Sequence, residues 1–348
     1  MAAGTQGVLR VLNVEPARYD DAARGVLAEL GTVDYVECAD QRAFVEALRA
    51  RAYDVALVRL GLLVDTQALD AAPSLRWIVT PTTGLDHIDV RAAERRGVQI
   101  VSLQGDTAFL ESIRSTAEHT WALLLSLARR VPAAHADVLA GRWRREPFLG
   151  EELNGKTLGI IGCGRLGRMV AGYGLAFGMR VCAYDHDPGN VRAAPPGTAP
   201  ASLDALLATA DVISLHLPLT DETRGFLSRE RMARMKRGAI LINTARGEIV
   251  DEEALLDALR DQRLAGAALD VLGGEAAWAA RGAGGHPVVE FARHDPRLLI
   301  TPHIGGYGRQ SISSTRMYVA QKLARAVGAR DGTPGQDVSP HTSHPASR

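Results

Sequence analysis

The stretch Leu158–Gly167, with the sequence LGIIGCGRLG, decides the fold of this chain. An apolar run typical of a buried strand leads into a Gly-x-Gly-x-x-Gly turn, which opens a helical pattern from Leu166 to Phe177. Gly162 permits the tight turn, Gly164 lets a pyrophosphate approach the backbone, and Gly167 lets the helix pack on the strand. The free N–H groups at the start of that helix would bind the phosphates. The stretch therefore predicts a dinucleotide-binding βαβ unit.

The next predicted strand runs from Arg180 to Tyr184 and ends at Asp185, 23 residues after Gly162. A carboxylate at that position can accept hydrogen bonds from the ribose hydroxyls of adenosine. Because its charge would repel a 2′-phosphate, NAD is favoured over NADP, although Arg192 lies near enough to keep NADP open. The plain alternative is a glycine turn with a surface aspartate, against which the strand–turn–helix context argues.

Strands and helices alternate along most of the 348 residues, in one set before residue 105 and another after residue 155. Such alternation predicts an α/β fold of two doubly wound parallel sheets with helices on both faces. Strands are predicted at residues 8–14, 33–38, 55–59, 77–81, 98–102, 157–162, 180–185, 212–217, 239–244, 266–271 and 298–301. Helices are predicted at residues 20–29, 41–51, 90–95, 117–130, 166–177, 202–208 and 252–260. Between the sets, a long linking helix precedes an arm that contains Trp143 and Phe148.

The composition argues against several classes of protein. Lys plus Arg and Asp plus Glu both number 40, so no net charge would attract nucleic acid or an anionic membrane. Cys38, Cys163 and Cys182 lie far apart, which favours a cytoplasmic location over a disulfide framework or a zinc cluster. No apolar run approaches the roughly 18 residues of a membrane span, and no signal-peptide pattern is present at the start. Without an HExxH or similar motif, no metal is expected.

Three polar residues follow predicted strands of the second set: Arg246, Glu275 and His303. The carboxyl ends of strands in a doubly wound sheet line the ligand crevice. Reduction of a 2-oxo acid needs a cation for the carboxylate and a proton donor for the alkoxide, roles that suit Arg246 and His303. Glu275 would orient the imidazole and favour its charged form. Asp270, at its own strand end, could reach the nicotinamide carboxamide. Taken singly, each could equally be a loop, capping or solvated residue.

Together these segments resemble the D-isomer-specific 2-hydroxyacid dehydrogenase family, over roughly residues 55–326. The resemblance implies two Rossmann-like domains, with the cofactor domain inserted into a flavodoxin-like substrate domain. It also implies an active site in a closing cleft, a C-terminal helix at about residues 310–327 and a homodimer. The implied domains are residues 1–115 and 304–330 for the substrate, 116–303 for NAD with a dimerisation arm at about 116–150, and a disordered tail at 331–348.

The resemblance also assigns roles to individual residues. Arg246, Glu275 and His303 match the family's catalytic residues. The implied cofactor contacts are Gly162, Gly164, Arg165, Leu166, Gly167, Asp185, Leu217, Pro218, Thr223, Thr244, Ala245, Arg246, Asp270, His303 and Gly305. The implied substrate contacts are Arg59, Thr83, Gly84, Arg246 and His303, with the backbone of residues 82–89 holding the substrate carboxylate. Arg59 falls where phosphoglycerate dehydrogenases often place an arginine near the phosphate, or it is an ordinary surface arginine.

Several departures from the family pattern leave the substrate open. The family often has Gly, Asn, Asn and Pro at four positions that differ here: Thr82, His87, Ser102 and Ala276. The stretches at residues 104–114 and 276–285 are longer than usual. A 3-phosphoglycerate dehydrogenase-like activity is the first expectation, followed by a glyoxylate or hydroxypyruvate reductase or an enzyme for a specialised phosphonate or secondary metabolite. A protein of another class, an NAD-sensing corepressor-like binding protein, is the remaining alternative.

Overall fold

The structure of the chain, a computed structural model, describes residues 8–275, 278 and 282–330. The predicted disordered tail at residues 331–348 and the departure at Ala276 lie outside the described residues. The longer stretch at residues 276–285 is described only in part. Within the described ranges, no helix has the length and apolar character needed to cross a membrane.

The first sheet comes from the N-terminal part of the chain. Its parallel strands are β1 (Leu9–Asn13), β2 (Gly31–Tyr35), β3 (Val55–Leu57), β4 (Trp77–Val79) and β5 (Gln99–Val101). Its helices are α1 (Asp21–Leu30), α2 (Gln41–Ala50), α3 (Thr66–Ala71), α4 (Val90–Arg95) and α5 (Thr107–Leu110). The spatial order β2-β1-β3-β4-β5 is that of a flavodoxin-like sheet, with its switch point between β1 and β3.

The second sheet has seven parallel strands. They are β6 (Thr157–Ile161), β7 (Arg180–Tyr184), β8 (Thr198–Pro200), β9 (Val212–Leu215), β10 (Ala239–Asn243), β11 (Leu264–Leu269) and β12 (Leu298–Ile300). The helices of this part are α6 (Ser115–Ala128), α7 (Val131–Leu139), α8 (Arg165–Ala176), α9 (Pro188–Arg192), α10 (Leu203–Thr209), α11 (Arg229–Arg234), α12 (Glu252–Arg260) and α13 (Pro287–His294). The order β12-β11-β10-β9-β6-β7-β8 is a Rossmann arrangement extended by one strand, and it switches between β6 and β9.

The predicted fold class, two Rossmann-like parallel sheets, is confirmed. Strands β3, β4, β9 and β10 are buried along their whole length, because helices cover both faces of each sheet. Asp20, Asp40 and Asp89 begin helices by accepting the backbone N–H three residues later. Each cap satisfies a donor that the first helical turn leaves unpaired.

The last helix, α14 (Arg309–Arg330), returns to the first sheet. Its buried residues Val319, Ala320 and Leu323 share a core with Leu9 and Val11 of β1. The C-terminal helix expected from the family resemblance is therefore present, and it packs on the part of the chain that is most distant in sequence.

Each predicted strand is present, with ends displaced by at most three residues. The short strand β8 was missed, because it ends in a proline at the sheet edge and carries little β-forming signal. The short helices α3, α5, α7, α9, α11 and α13 were also missed, because they offer too few apolar repeats to recognise. The linking helix is α6, after which the chain turns at Arg130, with φ of 53°, into α7.

Candidate active site

The glycine turn after β6 lies at the switch point of the second sheet and opens α8. Gly162 has φ of +89°, and a Cβ there would stand 2.7 Å from the carbonyl oxygen of His216. A Cβ on Gly167 would stand 2.1 Å from the carbonyl oxygen of Gly162. A Cβ on Gly164, by contrast, would meet no atom of the described residues within 4 Å, so among them the space in front of the helix start is open. The turn therefore fits the pyrophosphate of a dinucleotide.

Asp185 follows β7 and ties that strand to the glycine turn. Its carboxylate accepts the N–H of Cys163 at 2.7 Å and the N–H of Asp187 at 2.9 Å. Asn190 donates to the same carboxylate at 3.2 Å. Arg192, the cation that kept NADP open, is exposed at the end of α9. The negative charge beside the turn favours ribose hydroxyls over a 2′-phosphate.

Arg246 follows β10 and reaches across to the loop after β4. Its Nε donates to the Asp86 carboxylate at 2.7 Å, and its Nη1 donates to the Ala245 carbonyl at 2.7 Å. A Cβ on Gly84 would stand 1.8 Å from Nη2 of Arg246, so any side chain here would displace the guanidinium. The structure therefore brings together Arg246, which follows a strand of the second sheet, and the loop after β4 of the first sheet.

The loop after β4 presents unpaired backbone donors beside this guanidinium. Within the described residues, no group accepts a hydrogen bond from the N–H of Thr83, Gly84 or Leu85. Consecutive free amides next to an arginine are suited to binding a carboxylate. We call the three N–H groups of Thr83, Gly84 and Leu85 the amide cradle. Thr83 and Gly84 are both predicted substrate contacts.

His303 follows β12 and pairs with Glu275 from the loop after β11. Its Nδ1 forms a short hydrogen bond with Oε1 of Glu275, whose Oε2 accepts the N–H of Leu272 at 3.1 Å. His303 has φ of 52°, and its N–H donates to the Asp270 carbonyl at 2.7 Å. Because Nδ1 is engaged, Nε2 is the nitrogen left for a substrate. The pair has the arrangement of a general acid–base with its orienting carboxylate.

Asp270, at the end of β11, fixes the loop after β12. The residue is 1% exposed, and its carboxylate accepts the N–H of Ile304 at 2.9 Å and of Gly305 at 2.7 Å. The Thr301 hydroxyl donates to it at 2.6 Å. Burial raises the pKa of this carboxyl, but hydrogen bonds, including one from His119, outweigh burial and hold the pKa below its usual range. Both oxygens are engaged within the chain, so a contact with the nicotinamide stays a prediction.

His119 and Thr120 on α6 were not singled out from the sequence. Nε2 of His119 lies 3.2 Å from Oδ1 of Asp270 and 3.0 Å from the Thr301 hydroxyl. The Thr120 hydroxyl lies 2.8 Å from the hydroxyl of Thr244. Their position directly before the apolar run of residues 121–125 on the same helix was the signal available in the sequence. These contacts attach α6 to the strand ends that carry the site.

Glu248 and Glu252, from the segment after β10, brace the loop that carries Glu275. Glu252 accepts the N–H of Gly273 at 2.7 Å, and Glu248 accepts the N–H of Gly274 at 3.1 Å. Burial is the largest cause of the raised pKa of Glu252. These hydrogen bonds connect the segment after Arg246 to the loop that carries Glu275. The sequence pattern did not indicate them.

Arg165 and Arg59 are placed differently from a simple ligand contact. The Arg165 guanidinium donates to the carbonyls of Leu110 at 3.0 Å and Ile113 at 2.8 Å. Its side chain thus ties the glycine turn to the segment before α6, while its backbone N–H lies at the helix start. Arg59 lies just after β3 and donates to the Cys38 carbonyl at 2.8 Å. The remaining predicted cofactor contacts follow β9 and β10: Leu217, Pro218, Thr223, Thr244 and Ala245.

Comparison with known proteins shows the family. The family model described as "D-isomer specific 2-hydroxyacid dehydrogenase, NAD binding domain" matches residues 121–305. A D-3-phosphoglycerate dehydrogenase of Mycobacterium tuberculosis is 38% identical over 333 residues, which cover 92% of this chain and 60% of that protein. The chain thus spans about three-fifths of the length of the curated relative.

Two solved structures have the same fold. The TT0316 protein from Thermus thermophilus is 35% identical, with a TM-score of 0.77, over 93% of this chain and 98% of that chain. D-Lactate dehydrogenase from Aquifex aeolicus, solved with NAD and lactic acid, is 30% identical, with a TM-score of 0.76. That match covers 93% of this chain and 96% of the Aquifex chain. The predicted family resemblance and the prediction of NAD as the cofactor are confirmed.

Proposed function

This chain belongs to the D-isomer specific 2-hydroxyacid dehydrogenase family, and on that premise we propose that it interconverts a small 2-hydroxy acid and its 2-oxo acid with NAD. The observation that carries the proposal is the position of Arg246, whose guanidinium lies against Gly84 among free backbone amides. This cradle has the donors that a substrate carboxylate needs. The His303–Glu275 pair supplies the acid–base group that the reaction also needs.

The proposed reaction divides the work among these groups. When bound, NADH would supply the hydride to the substrate's second carbon in reduction, and NAD would accept it in oxidation. Arg246 and the loop after β4 hold the carboxylate, and the fixed positive charge polarises the adjacent carbonyl. During reduction, Nε2 of His303 donates its proton to the carbonyl oxygen, which becomes the hydroxyl; in oxidation the ring takes that proton back. Glu275 keeps the ring oriented through Nδ1 in both directions.

For the substrate, we propose a 3-phosphoglycerate dehydrogenase-like preference. The sequence similarity to enzymes of that name supports it, and so does Arg59. This arginine lies at the carboxyl end of β3, next to the switch point of the first sheet, where ligands of doubly wound sheets bind. Its cationic planar group suits a phosphate.

The proposal extends to organisation. The substrate domain would comprise residues 1–115 and 304–330, and the cofactor domain residues 116–303. We propose a homodimer formed through the arm, because Trp143 is 89% exposed and Leu139 and Leu149 are also largely exposed there. Apolar side chains clustered on one arm are typical of a covered interface. A cytoplasmic location is proposed from the three free cysteines.

The first test measures NADH oxidation with phosphohydroxypyruvate, hydroxypyruvate, glyoxylate and pyruvate. A preference for the phosphorylated acid, lost in Arg59→Ala, would support the phosphoglycerate dehydrogenase-like reading. A preference for an unphosphorylated acid would keep the mechanism and remove the role of Arg59. Lack of turnover despite NADH binding would favour the NAD-sensing binding protein.

The second test replaces Arg246. Arg246→Ala is expected to lower kcat/KM for the 2-oxo acid by about 10³-fold while the Kd of NADH changes less than about threefold. Arg246→Lys keeps the charge but loses the planar guanidinium. Its kcat/KM should lie between that of the parent and that of Arg246→Ala. A loss of NADH affinity as large as the loss of activity would overturn the carboxylate role.

A further inference from the structure

The loop after β4 contains a chain of hydrogen bonds that ends on a buried histidine. The Thr82 hydroxyl donates to the Gly84 carbonyl at 2.8 Å. The hydroxyl oxygens of Thr80 and Thr82 lie 2.9 Å apart. The Thr80 hydroxyl oxygen lies 3.1 Å from Nε2 of His87. The chain thus connects His87 to the backbone of the amide cradle.

The direction of each hydrogen bond follows from the number of protons available. A hydroxyl carries one proton, and Thr82 gives its proton to the carbonyl of Gly84, which can only accept. The contact between the threonines must then use the proton of Thr80. Since Thr80 has no second proton, Nε2 of His87 must donate to it. A neutral His87 is therefore protonated on Nε2, and its Nδ1 is a bare acceptor.

The surroundings keep this ring neutral. His87 is 3% exposed, and its Nδ1 is buried without a hydrogen-bond partner among the described residues. Burial lowers the pKa of His87 to about 4, with Asp86 opposing and Arg246 adding to the shift. A second proton would lie on Nδ1, where no described group accepts it. One tautomer of the neutral ring therefore fits the site.

The consequence reaches the amides that face the substrate. The hydroxyl of Thr82 holds the Gly84 carbonyl, and a peptide group is planar, so this bond also fixes the N–H of Leu85 on the opposite side. That N–H is one of the unpaired donors of the cradle. Losing the Nε2–H donor would remove the hydrogen bond that fixes the Thr80 hydroxyl, so the Thr82 hydroxyl and this peptide would be held less firmly.

We propose that His87 is a positioning residue, which as its Nε2–H tautomer aligns the backbone amides that bind the substrate carboxylate. The inference rests on the proposed function for its kinetic consequence, whereas the hydrogen-bond chain stands independently of any substrate. His87 contacts neither the substrate nor the cofactor in this role.

The tautomer is tested by NMR of the side-chain nitrogens of the protein labelled with ¹⁵N-histidine, with His87→Asn used to assign the signal. We expect a neutral ring protonated on Nε2, with no titration between about pH 5 and 8. A ring protonated on Nδ1, or one that titrates in this range, would overturn the proposal. The experiment needs no substrate, so it tests the direction of the hydrogen bonds even if the proposed activity is not found.

The positioning role is tested by kinetics on two variants. His87→Leu removes the donor and should raise KM for the 2-oxo acid about tenfold, which corresponds to the loss of one well-placed hydrogen bond. The Kd of NADH and the Tm should change little. His87→Gln offers an amide N–H that reaches the position of Nε2–H, and it should keep KM within about threefold of the parent.

Tyr53→Phe is the matched control. Tyr53 is also buried, at 3% exposed, but its hydroxyl donates to the Asp34 carboxylate at 2.8 Å, and the residue precedes β3, at the edge of the sheet opposite the loop after β4. This variant should leave KM for the 2-oxo acid unchanged. An unchanged KM in His87→Leu, or equal effects in His87→Leu and His87→Gln, would refute the positioning role.

Discussion

The two sheets share a doubly wound topology, yet the segments that follow their first strands, β6 and β1, differ in what they hold. Between β6 and β9, the turn at Gly162–Gly164 leaves open space in front of a helix start. Next to the point between β1 and β3, the chain leaves β1 through Glu15, whose carboxylate is paired with Arg316 of α14. These two residues are 6% and 7% exposed and form hydrogen bonds of 2.7 and 3.0 Å.

The difference shows that the same sheet topology can be followed by an open turn or by a buried ion pair, depending on the residues that leave the first strand. A glycine turn leaves helix N–H groups unpaired and so invites an external anion. Glu15 is an internal anion, and it binds an internal cation instead. Because removing both charges from water is costly, this pair is better understood as fixing the position of α14 than as a large source of stability.

The largest expected effect is on catalysis at the edge of the open crevice. His303→Asn keeps a residue that tolerates positive φ but removes the acid–base group, so kcat should fall by about 10⁴-fold. The Kd of NADH, measured by fluorescence titration, should stay within about twofold. His294→Asn, at an exposed histidine, serves as the control and should retain full activity. Retention of more than a tenth of the activity in His303→Asn would contradict the assignment.

The next effect tests the buried ion pair between Glu15 and Arg316. Glu15→Ala leaves Arg316 as an unpaired buried charge, so the free energy of unfolding in urea should fall by about 3–5 kcal/mol. Glu290→Ala breaks the exposed pair with Arg293, whose groups lie 3.3 Å apart, and should cost at most about 1 kcal/mol. Similar losses in the two variants would mean that burial of the first pair has no special effect. The Kd of NADH should be unchanged in both.

A smaller effect separates the open space from the close packing within one turn. Gly164→Ala should fold with an unchanged Tm, because its Cβ meets no atom within 4 Å in the part of the chain that the structure describes, yet it should weaken NADH binding about tenfold or more. Gly167→Ala should instead lower the Tm, because its Cβ would stand 2.1 Å from a backbone oxygen. Normal NADH affinity in Gly164→Ala would show that the pyrophosphate does not approach this position.

The smallest effect concerns the choice of dinucleotide. Asp185→Asn keeps an acceptor for the N–H of Cys163 but removes the negative charge. Affinity for NAD should fall about fivefold, while affinity for NADP should stay the same or improve. Titration with both oxidised cofactors measures the ratio. Equal weakening of the two would exclude a contact to the ribose hydroxyls.

Much of the fold was predictable because its signals are local. Buried parallel strands are short apolar runs, and the glycine turn needs φ values and close approaches that the sequence shows directly. The strand ends gave Arg246, Glu275 and His303 for the same reason, since the carboxyl ends of parallel strands share one edge. The short helices and β8 were missed because an element of so few residues has only a weak apolar pattern.

The sequence by itself determined the two doubly wound sheets, the dinucleotide turn and the residue types at the strand ends. Only the tertiary structure decided that Arg246 rests on Gly84, that Arg165 binds backbone carbonyls and that His119 supports Asp270. It also decided that Glu15 and Arg316, 301 residues apart, form a buried ion pair. The physical reason is that periodicity and turn chemistry act between near neighbours in the chain, whereas these contacts depend on how distant segments pack.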